Sequence, residues 1–89
     1  MRLKFLHDAQ IDFHDFGLID HFDVEKLLSE FIEDEYMKGN KALLIITGTG
    51  KMVKPLVDKL LKTNKFVKEA NEAGYFNGQK GAYEVTLKS

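Results

Sequence analysis

The chain has 89 residues, 44% hydrophobic and 30% charged, which is the composition of one globular domain. It has no cysteine, which excludes disulfides and thiolate metal sites and agrees with the cytoplasmic location that we expect. The net charge of −1 argues against indiscriminate nucleic-acid binding. The longest wholly apolar run, residues 42–46, is too short to cross a membrane, so we expect no membrane partner.

The charges are unevenly distributed along the chain. Residues 1–40 contain ten acidic and four basic residues, whereas residues 51–68 contain six lysines and a single acid, Asp58. Such a charge asymmetry can steer a phosphate backbone toward one side of a small domain. A solvated lysine face on a surface helix is the alternative interpretation.

The first predicted element is a strand over residues 9–14, preceded by an N-terminal extension, residues 1–8. Apolar residues at odd positions, such as Ile11 and Phe13, alternate with polar ones, which is typical of a strand with one buried face. A helix is predicted next, with Asp23 as its N-cap and apolar residues at helical spacing. Gly39 supplies its stop signal because glycine readily adopts the left-handed conformation.

The second half of the chain begins with a short apolar strand over residues 42–46, followed by a glycine-rich turn. The second helix is predicted to begin near residue 53, because Pro55 is tolerated only in a first turn, and to end at Asn64. Residues 66–70 are a strand candidate, residues 74–81 are predicted as a loop, and residues 83–87 alternate like a last strand.

This order, β-α-β-α-β-β, predicts an α/β fold, more specifically a two-layer α+β sandwich formed by all 89 residues as a single domain. A four-stranded mixed sheet carries both helices mainly on one face, with the first strands parallel and the last two in an antiparallel hairpin. The odd residues of the first strand then pack beneath the helices. Asp12 and His14 face the open side, and by the same parity Glu84 joins them.

Two short motifs carry the chemistry. Asp12 and His14 place a carboxylate beside an imidazole, which titrates near neutral pH and can move a proton in a phosphodiester reaction. Thr47-Gly48-Thr49-Gly50 is a turn between a strand and a helix, where backbone N–H groups and the following Lys51 and Lys54 can hold an anion. A surface hydrogen-bonded pair and a purely structural turn are the alternative interpretations.

With these motifs in this order, the chain resembles the small MutS-related (Smr) domain, found at the C-terminus of some MutS paralogues and as stand-alone proteins. The first family signature, Leu-Asp-Leu-His-Gly, is matched by Ile11-Asp12-Phe13-His14, with Asp15 in place of the glycine. The second, His/Thr-Gly-x-Gly, is matched by Thr47-Gly48-Thr49-Gly50. A third, glycine-containing stretch before the last strand is loosely matched by Gly78 and Gly81.

The resemblance implies an α/β sandwich that binds nucleic acid and an endonuclease that cleaves RNA or nicks DNA, with roles in DNA repair or on stalled ribosomes. Asp12 and His14 are then the predicted catalytic residues. With RNA no metal is needed, whereas with DNA a divalent ion, Mg²⁺ or Mn²⁺, is expected on Asp12 and Glu84. The predicted nucleic-acid-binding residues are Thr47, Gly48, Thr49, Gly50, Lys51 and Lys54.

Three features depart from the family pattern: Thr47 stands where many members have histidine, Asp15 replaces a glycine, and the segment before the first helix is longer than usual. The alternative function is therefore a non-catalytic module that binds nucleic acid, or a ribosome or repair complex. A protein-interaction domain that contacts no nucleic acid is a third hypothesis, which the overall acidity favours.

Overall fold

Six elements follow one another in the predicted order β-α-β-α-β-β. The structure, a computed structural model, describes residues 6–13, 20–48, 51–76 and 79–89. The four strands are β1 (Ala9–Asp12), β2 (Ala42–Ile46), β3 (Val67–Phe76) and β4 (Gln79–Leu87). The two helices are α1 (His21–Met37) and α2 (Val53–Thr63). The predicted residues that lie outside the described ranges are His14, Asp15, Thr49, Gly50 and Gly78.

The strands form one mixed sheet in the order β1-β2-β4-β3, which confirms the predicted α+β architecture. β1 and β2 are parallel, and β4 runs antiparallel to both β2 and β3. The register places Asp12 beside Ile46, and Ile46 beside Ala82 on the next strand. The carboxyl ends of β1 and β2 therefore meet at one end of the sheet, which we call its carboxyl end; the other is its amino end.

The core lies between the helices and the face of the sheet formed by odd residues of β1, β2 and β4. This cluster includes Phe13 from the residue after β1, together with residues of both helices and of β2 and β4. At the carboxyl end, Ile46 and Ala82 point to the other face and are nevertheless buried, at 0% and 1% exposure. The second face is thus only partly open, and Asp12 adjoins a buried apolar patch.

The structure corrects the start of the first helix. Asp20, not Asp23, is the N-cap, and its carboxylate accepts the backbone N–H of Asp23 at 2.9 Å. The Asp23 carboxylate in turn accepts the backbone N–H of Asp20, which completes a capping box. The sequence contains both acids three residues apart, and helical spacing alone did not decide between them. The predicted ends at Gly39 (φ +86°) and at Asn64 are confirmed.

The structure also corrects the strand boundaries. β1 ends at Asp12 instead of residue 14, and the predicted loop over residues 74–81 is wrong because β3 and β4 continue through most of it. Backbone pairing between two antiparallel strands does not need β-forming side chains, and irregularities near Gly74 absorb the glycine-rich sequence. The hairpin is therefore longer than the alternating pattern of residues 83–87 predicts.

Asp8 joins the predicted N-terminal extension to the sheet. Its backbone N–H donates to the carbonyl of Ala42 at 2.7 Å, and its carboxylate accepts the N–H groups of Lys41 and Ala42, both at 3.0 Å. These hydrogen bonds from Lys41 and Ala42 lower the pKa of the Asp8 carboxyl. Of the two helices in the described part of the chain, neither is long and apolar enough to span a membrane.

Candidate functional site

The register brings the two sequence motifs to the same place, the carboxyl end of β1 and β2. Asp12 is the last residue of β1, and its neighbour Ile46 immediately precedes Thr47 and Gly48. In open α/β sheets, ligands bind at the carboxyl ends of parallel strands, where loops leave the sheet side by side. Residues more than thirty positions apart in sequence thus share one site. His14, Thr49 and Gly50 continue these segments beyond the described residues.

Gly81 on β4 fixes the start of the glycine turn. Its carbonyl oxygen accepts the backbone N–H of Thr47 at 2.8 Å and that of Gly48 at 3.0 Å, and the Thr47 hydroxyl lies 3.3 Å away. A Cβ atom on Gly81 would lie 3.3 Å from the backbone of Gly48, closer than side chains normally approach. Gly48 itself has φ +71°, a conformation that favours glycine. The backbone conformation thus favours glycine at position 48, and the close approach to Gly48 favours glycine at position 81.

Thr47 has a structural role in this arrangement. The side chain is buried at 5% exposure, and its hydroxyl donates to the carbonyl of Gly48 at 2.8 Å. A buried hydroxyl that satisfies the turn in this way stabilises the loop conformation. The residue that replaces the family histidine thus holds the turn together.

The anion-binding capacity of the turn lies after Gly48. The N–H groups of Thr47 and Gly48 already donate to Gly81, so the predicted cradle must use groups farther along the chain. Two described features support an anion there. Met52 caps α2 without a side-chain hydrogen bond, and within residues 51–63 the first turn of the helix carries no acid. The unpaired N–H groups of a helix N-terminus attract anions.

The N-terminus of α1 differs in this respect. Asp20 and Asp23 occupy its first-turn N–H groups through the capping box and place two carboxylates there. Of the two helix N-termini in the described part of the chain, that of α2 is therefore the one suited to a phosphate group. This is also the end that follows the glycine turn.

The two predicted basic residues occupy different environments. Lys51 is exposed at the start of α2. Lys54 is half-buried, and its ammonium group lies 3.6 Å from the Glu72 carboxylate on β3. Lys51 can therefore contact the phosphate backbone of a bound nucleic acid directly, whereas Lys54 must first break its ion pair with Glu72. Sequence reasoning did not identify Glu72, because a pairing between a helix and a distant strand has no local sequence signal.

A second polar contact attaches α2 to the sheet. The Tyr83 hydroxyl donates to the Asp58 carboxylate at 3.1 Å, and Lys62 pairs with the same carboxylate at 2.8 Å. The hydrogen bond from Lys62, with a smaller effect of Tyr83, lowers the pKa of Asp58. Burial, with Asp58 beside it, raises the pKa of the Tyr83 hydroxyl well above its ordinary value. These contacts hold α2 in place relative to the carboxyl end.

Glu84 lies on the same face as Asp12, as predicted, but in a different row. It pairs with Leu44 on β2, two residues before the neighbour of Asp12. Standard sheet spacings then place the Cα atoms of Asp12 and Glu84 about 12 Å apart. One ion bound by both carboxylates, at Mg–O distances near 2.1 Å, needs both side chains almost fully extended toward each other. Within the described ranges, no three His, Asp or Glu side chains form a metal-binding group.

The sequence approach missed Gly81 as a site residue. Its signal was present in the glycine-containing stretch before the last strand, which the family resemblance singled out as a third motif. Without the register between β2 and β4, however, nothing placed that stretch opposite Thr47.

Comparisons with known proteins agree with this geometry. The family model of the Smr domain matches residues 11–88. The fold is similar to the crystal structure of the Smr domain of Thermus thermophilus MutS2, with a TM-score of 0.77 and 19% identity over 91% of this chain and 99% of that chain. No curated protein matches the sequence. Because the family match covers both motifs and extends from the end of β1 through β4, the chain belongs to the Smr domain family.

Proposed function

We propose that this domain binds nucleic acid at the carboxyl end of β1 and β2 and cleaves it as an endonuclease, with RNA preferred over DNA. The observation that supports the proposal is the register of Asp12 with Ile46, the residue directly before Thr47 and Gly48 of the second motif. Smr domains generally bind nucleic acid, and nuclease activity occurs among them. The cytoplasmic location stays a prediction from the sequence.

Binding would rest on the phosphate backbone. The uncapped N-terminus of α2 and the exposed Lys51 supply positive potential directly after the glycine turn. Sequence readout of bases is not implied, because backbone contacts position a strand without identifying it. We therefore propose a nucleic-acid substrate of unspecified sequence.

For cleavage of RNA we assign His14 as the base that takes the proton from a 2′-hydroxyl. The 2′-oxygen attacks the adjacent phosphorus, the bond from phosphorus to the 5′-oxygen breaks, and that oxygen takes up a proton from solvent. The products are a 2′,3′-cyclic phosphate and a 5′-hydroxyl. Asp12 would orient the imidazole and stabilise its protonated form, and the α2 N-terminus with Lys51 would stabilise the developing phosphate charge.

For DNA, which lacks the 2′-hydroxyl, a metal-bound water would be required. The separation of Asp12 and Glu84 in the sheet does not favour a metal ion shared by these two carboxylates, so we assign no metal ion to this pair. Since cleavage of RNA through its 2′-hydroxyl needs no such ion, we propose RNA as the preferred substrate.

A binding module without catalysis is the second candidate, favoured by one observation. Thr47 is buried and its hydroxyl is committed to the turn, so it cannot replace a histidine in proton transfer. Asp12 and His14 would then contact the backbone without cutting it. The partner of such a module would be free nucleic acid, a ribosome or a repair complex.

The experiment is a cleavage assay on end-labelled single-stranded RNA with the parent protein, His14→Ala and Asp12→Asn, each with and without EDTA. We expect cleavage that resists EDTA, ends in a cyclic phosphate and falls by about 100-fold or more in His14→Ala. Equal cleavage by parent and His14→Ala would refute the mechanism. Salt-sensitive binding without cleavage by the parent would support the second candidate, and absence of binding would refute both.

A further inference from the structure

A second basic surface lies at the amino end of the sheet, opposite the proposed site. It is a depression of about 320 Å³ between the C-terminus of α1, the start of β2 and the end of β4. The residues that line it include two lysines, an aromatic ring and small polar groups: Tyr36, Met37, Asn40, Lys41, Lys88 and Ser89. We call it the Lys41–Lys88 depression.

The two lysines have no acidic partner in the described part of the chain. The ammonium group of Lys41 donates to the Ser89 hydroxyl at 3.3 Å, and neither Lys41 nor Lys88 forms an ion pair with a described carboxylate. The nearby acids are engaged elsewhere. Asp8 accepts two backbone N–H groups, and Glu35 accepts the Asn40 amide at 2.6 Å and pairs with Lys38. Lys38 balances the charge of Glu35, so Lys41 and Lys88 face one unbalanced carboxylate, that of Asp8, and the depression keeps a net positive charge.

Aromatic rings lie beside this charge. Tyr36, which lines the depression, stacks on Phe66 with ring centroids 4.4 Å apart, and the ammonium group of Lys65 lies 5.1 Å above the Phe66 ring. The backbone N–H of Lys88 donates to the Phe66 carbonyl, which joins the two sets of residues. Both rings are half-buried and pack against the hydrophobic core, so they support the position of the lysines around the depression.

Helix α2 connects this depression to the proposed site. It begins beside the glycine turn and ends just before Lys65 and Phe66. Its single acid, Asp58, is occupied by Lys62 and Tyr83. Lys62 is exposed but paired with Asp58, so the basic path along the helix rests on the other exposed lysines, Lys51, Lys59 and Lys65, which form no ion pair with a described carboxylate. Helix α1 offers no such path because its exposed face is acidic.

We propose that the nucleic-acid strand held at the carboxyl end continues along α2, and that the Lys41–Lys88 depression binds its phosphate groups at the amino end. The proposal rests on the proposed function of the domain. From Lys41 to Thr47 the chain spans six strand residues, or about 20 Å. A strand stacked as in a duplex rises about 3.4 Å per nucleotide, so this distance corresponds to about six nucleotides in that conformation. An acidic protein is the less suitable occupant, because the basic path leads continuously to a predicted phosphate site.

The test measures affinities for RNA oligonucleotides of 4 and 12 nucleotides over a salt series, with Lys41→Gln/Lys88→Gln compared with the parent. The double variant should bind the 12-nucleotide RNA roughly tenfold more weakly at low salt, with a salt slope reduced by about 1.4, since each phosphate contact on a single strand contributes about 0.7. Binding of the 4-nucleotide RNA should be unchanged. Lys41→Arg/Lys88→Arg should restore the parent affinity.

Lys26→Glu is the matched control. It changes the net charge by the same two units on the exposed face of α1, away from the path, and should bind like the parent. Thermal melting confirms that each variant is folded. Equal weakening by Lys26→Glu, equal weakening for both RNA lengths, or unchanged binding of the 12-nucleotide RNA by the double glutamine variant would each overturn the proposal. If the parent binds neither RNA, the proposed function fails and this inference fails with it.

Discussion

The carbonyl oxygen of Gly81 accepts the backbone N–H of Thr47 at 2.8 Å and also lies 3.3 Å from its hydroxyl. This contact is where the last strand of the fold meets the motif that follows β2. It determines how the chain leaves the sheet toward α2. The start of the candidate site is thus built by two segments that are distant in sequence.

Gly81→Ala should impair function more than stability. The added Cβ would lie 3.3 Å from the Gly48 backbone and displace the turn by a few tenths of an ångström. We expect a loss of RNA affinity of about fivefold or more, measured by fluorescence anisotropy, with about 1 kcal/mol of stability lost. Gly39→Ala is the matched control: it strains a residue at φ +86° with no atom nearby, so it should cost about 1 kcal/mol. Because Gly39 lines the Lys41–Lys88 depression, both variants are compared on the 4-nucleotide RNA, for which Gly39→Ala should leave the affinity unchanged. If the two variants bind RNA equally well, the Gly81 contact does not shape the site.

Thr47→Val should destabilise the domain without acting on proton transfer. The substitution removes a buried hydroxyl that donates to the Gly48 carbonyl, which is expected to cost about 1 kcal/mol of unfolding free energy. Thr47→Ser keeps the hydroxyl and should therefore retain most of the unfolding free energy that Thr47→Val loses. Urea denaturation gives these free energies, and the pH profile of cleavage reports on chemistry. A changed pH profile in Thr47→Val would contradict a structural role.

The pair between Lys54 and Glu72 should restrain nucleic-acid binding. Glu72→Gln frees the Lys54 ammonium group for the backbone and removes a nearby negative charge. Because an exposed pair of this kind is worth at most about 1 kcal/mol, the affinity should rise by no more than about fivefold. Affinities of Lys54→Gln in both backgrounds complete a double-mutant cycle. The loss from Lys54→Gln should be larger when Glu72 is absent. Identical losses would mean that Glu72 does not restrain Lys54, and no loss in either background would mean that Lys54 does not contact the ligand.

Acid should weaken the domain partly through Glu35. A hydrogen bond from the Asn40 side chain, with a further contribution from Lys38, lowers the pKa of Glu35 below its ordinary value of 4.5. A lowered pKa in the folded state means that the stabilisation is present above that ordinary value and is lost as the pH falls through it toward the folded-state pKa. Glu35→Gln should therefore be less stable than the parent by about 1 kcal/mol at pH 7, and this difference should become smaller as the pH falls below 4.5 toward pH 3. Denaturation curves at both pH values test this, and a constant difference would contradict it.

The sequence predicted the order of the elements because each has a periodic apolar pattern, as in α2, or a clear stop signal, as at Gly39. The length of the hairpin was not predictable in the same way. Residues 74–81 are rich in glycine and polar residues, and the strand conformation of residues 74–76 and 79–81 comes from backbone pairing between β3 and β4. The start of α1 was not predictable from the sequence either, because Asp20 and Asp23 are both good N-cap residues.

For the site, the two motifs were recognisable from residue types, and parity correctly placed Asp12 and Glu84 on one face. The partners of these motifs were not recognisable. The Gly81 carbonyl accepts two N–H groups of the turn, and Glu72 forms an ion pair with Lys54. Strand register and helix packing alone bring these partners into contact. Long-range pairs of this kind decide which predicted groups are available to a ligand.

The most direct test of the nucleic-acid site is a titration of the ¹⁵N-labelled domain with a 12-nucleotide RNA, followed by amide chemical shifts. We expect the largest changes at the carboxyl end of β1 and β2, around Asp12, Gly48, Lys51 and Gly81. Smaller changes should follow α2 toward Lys88. Changes confined to the acidic face of α1, or no changes at RNA concentrations near 1 mM, where even weak non-specific binding is detectable, would contradict a nucleic-acid site at this end of the sheet.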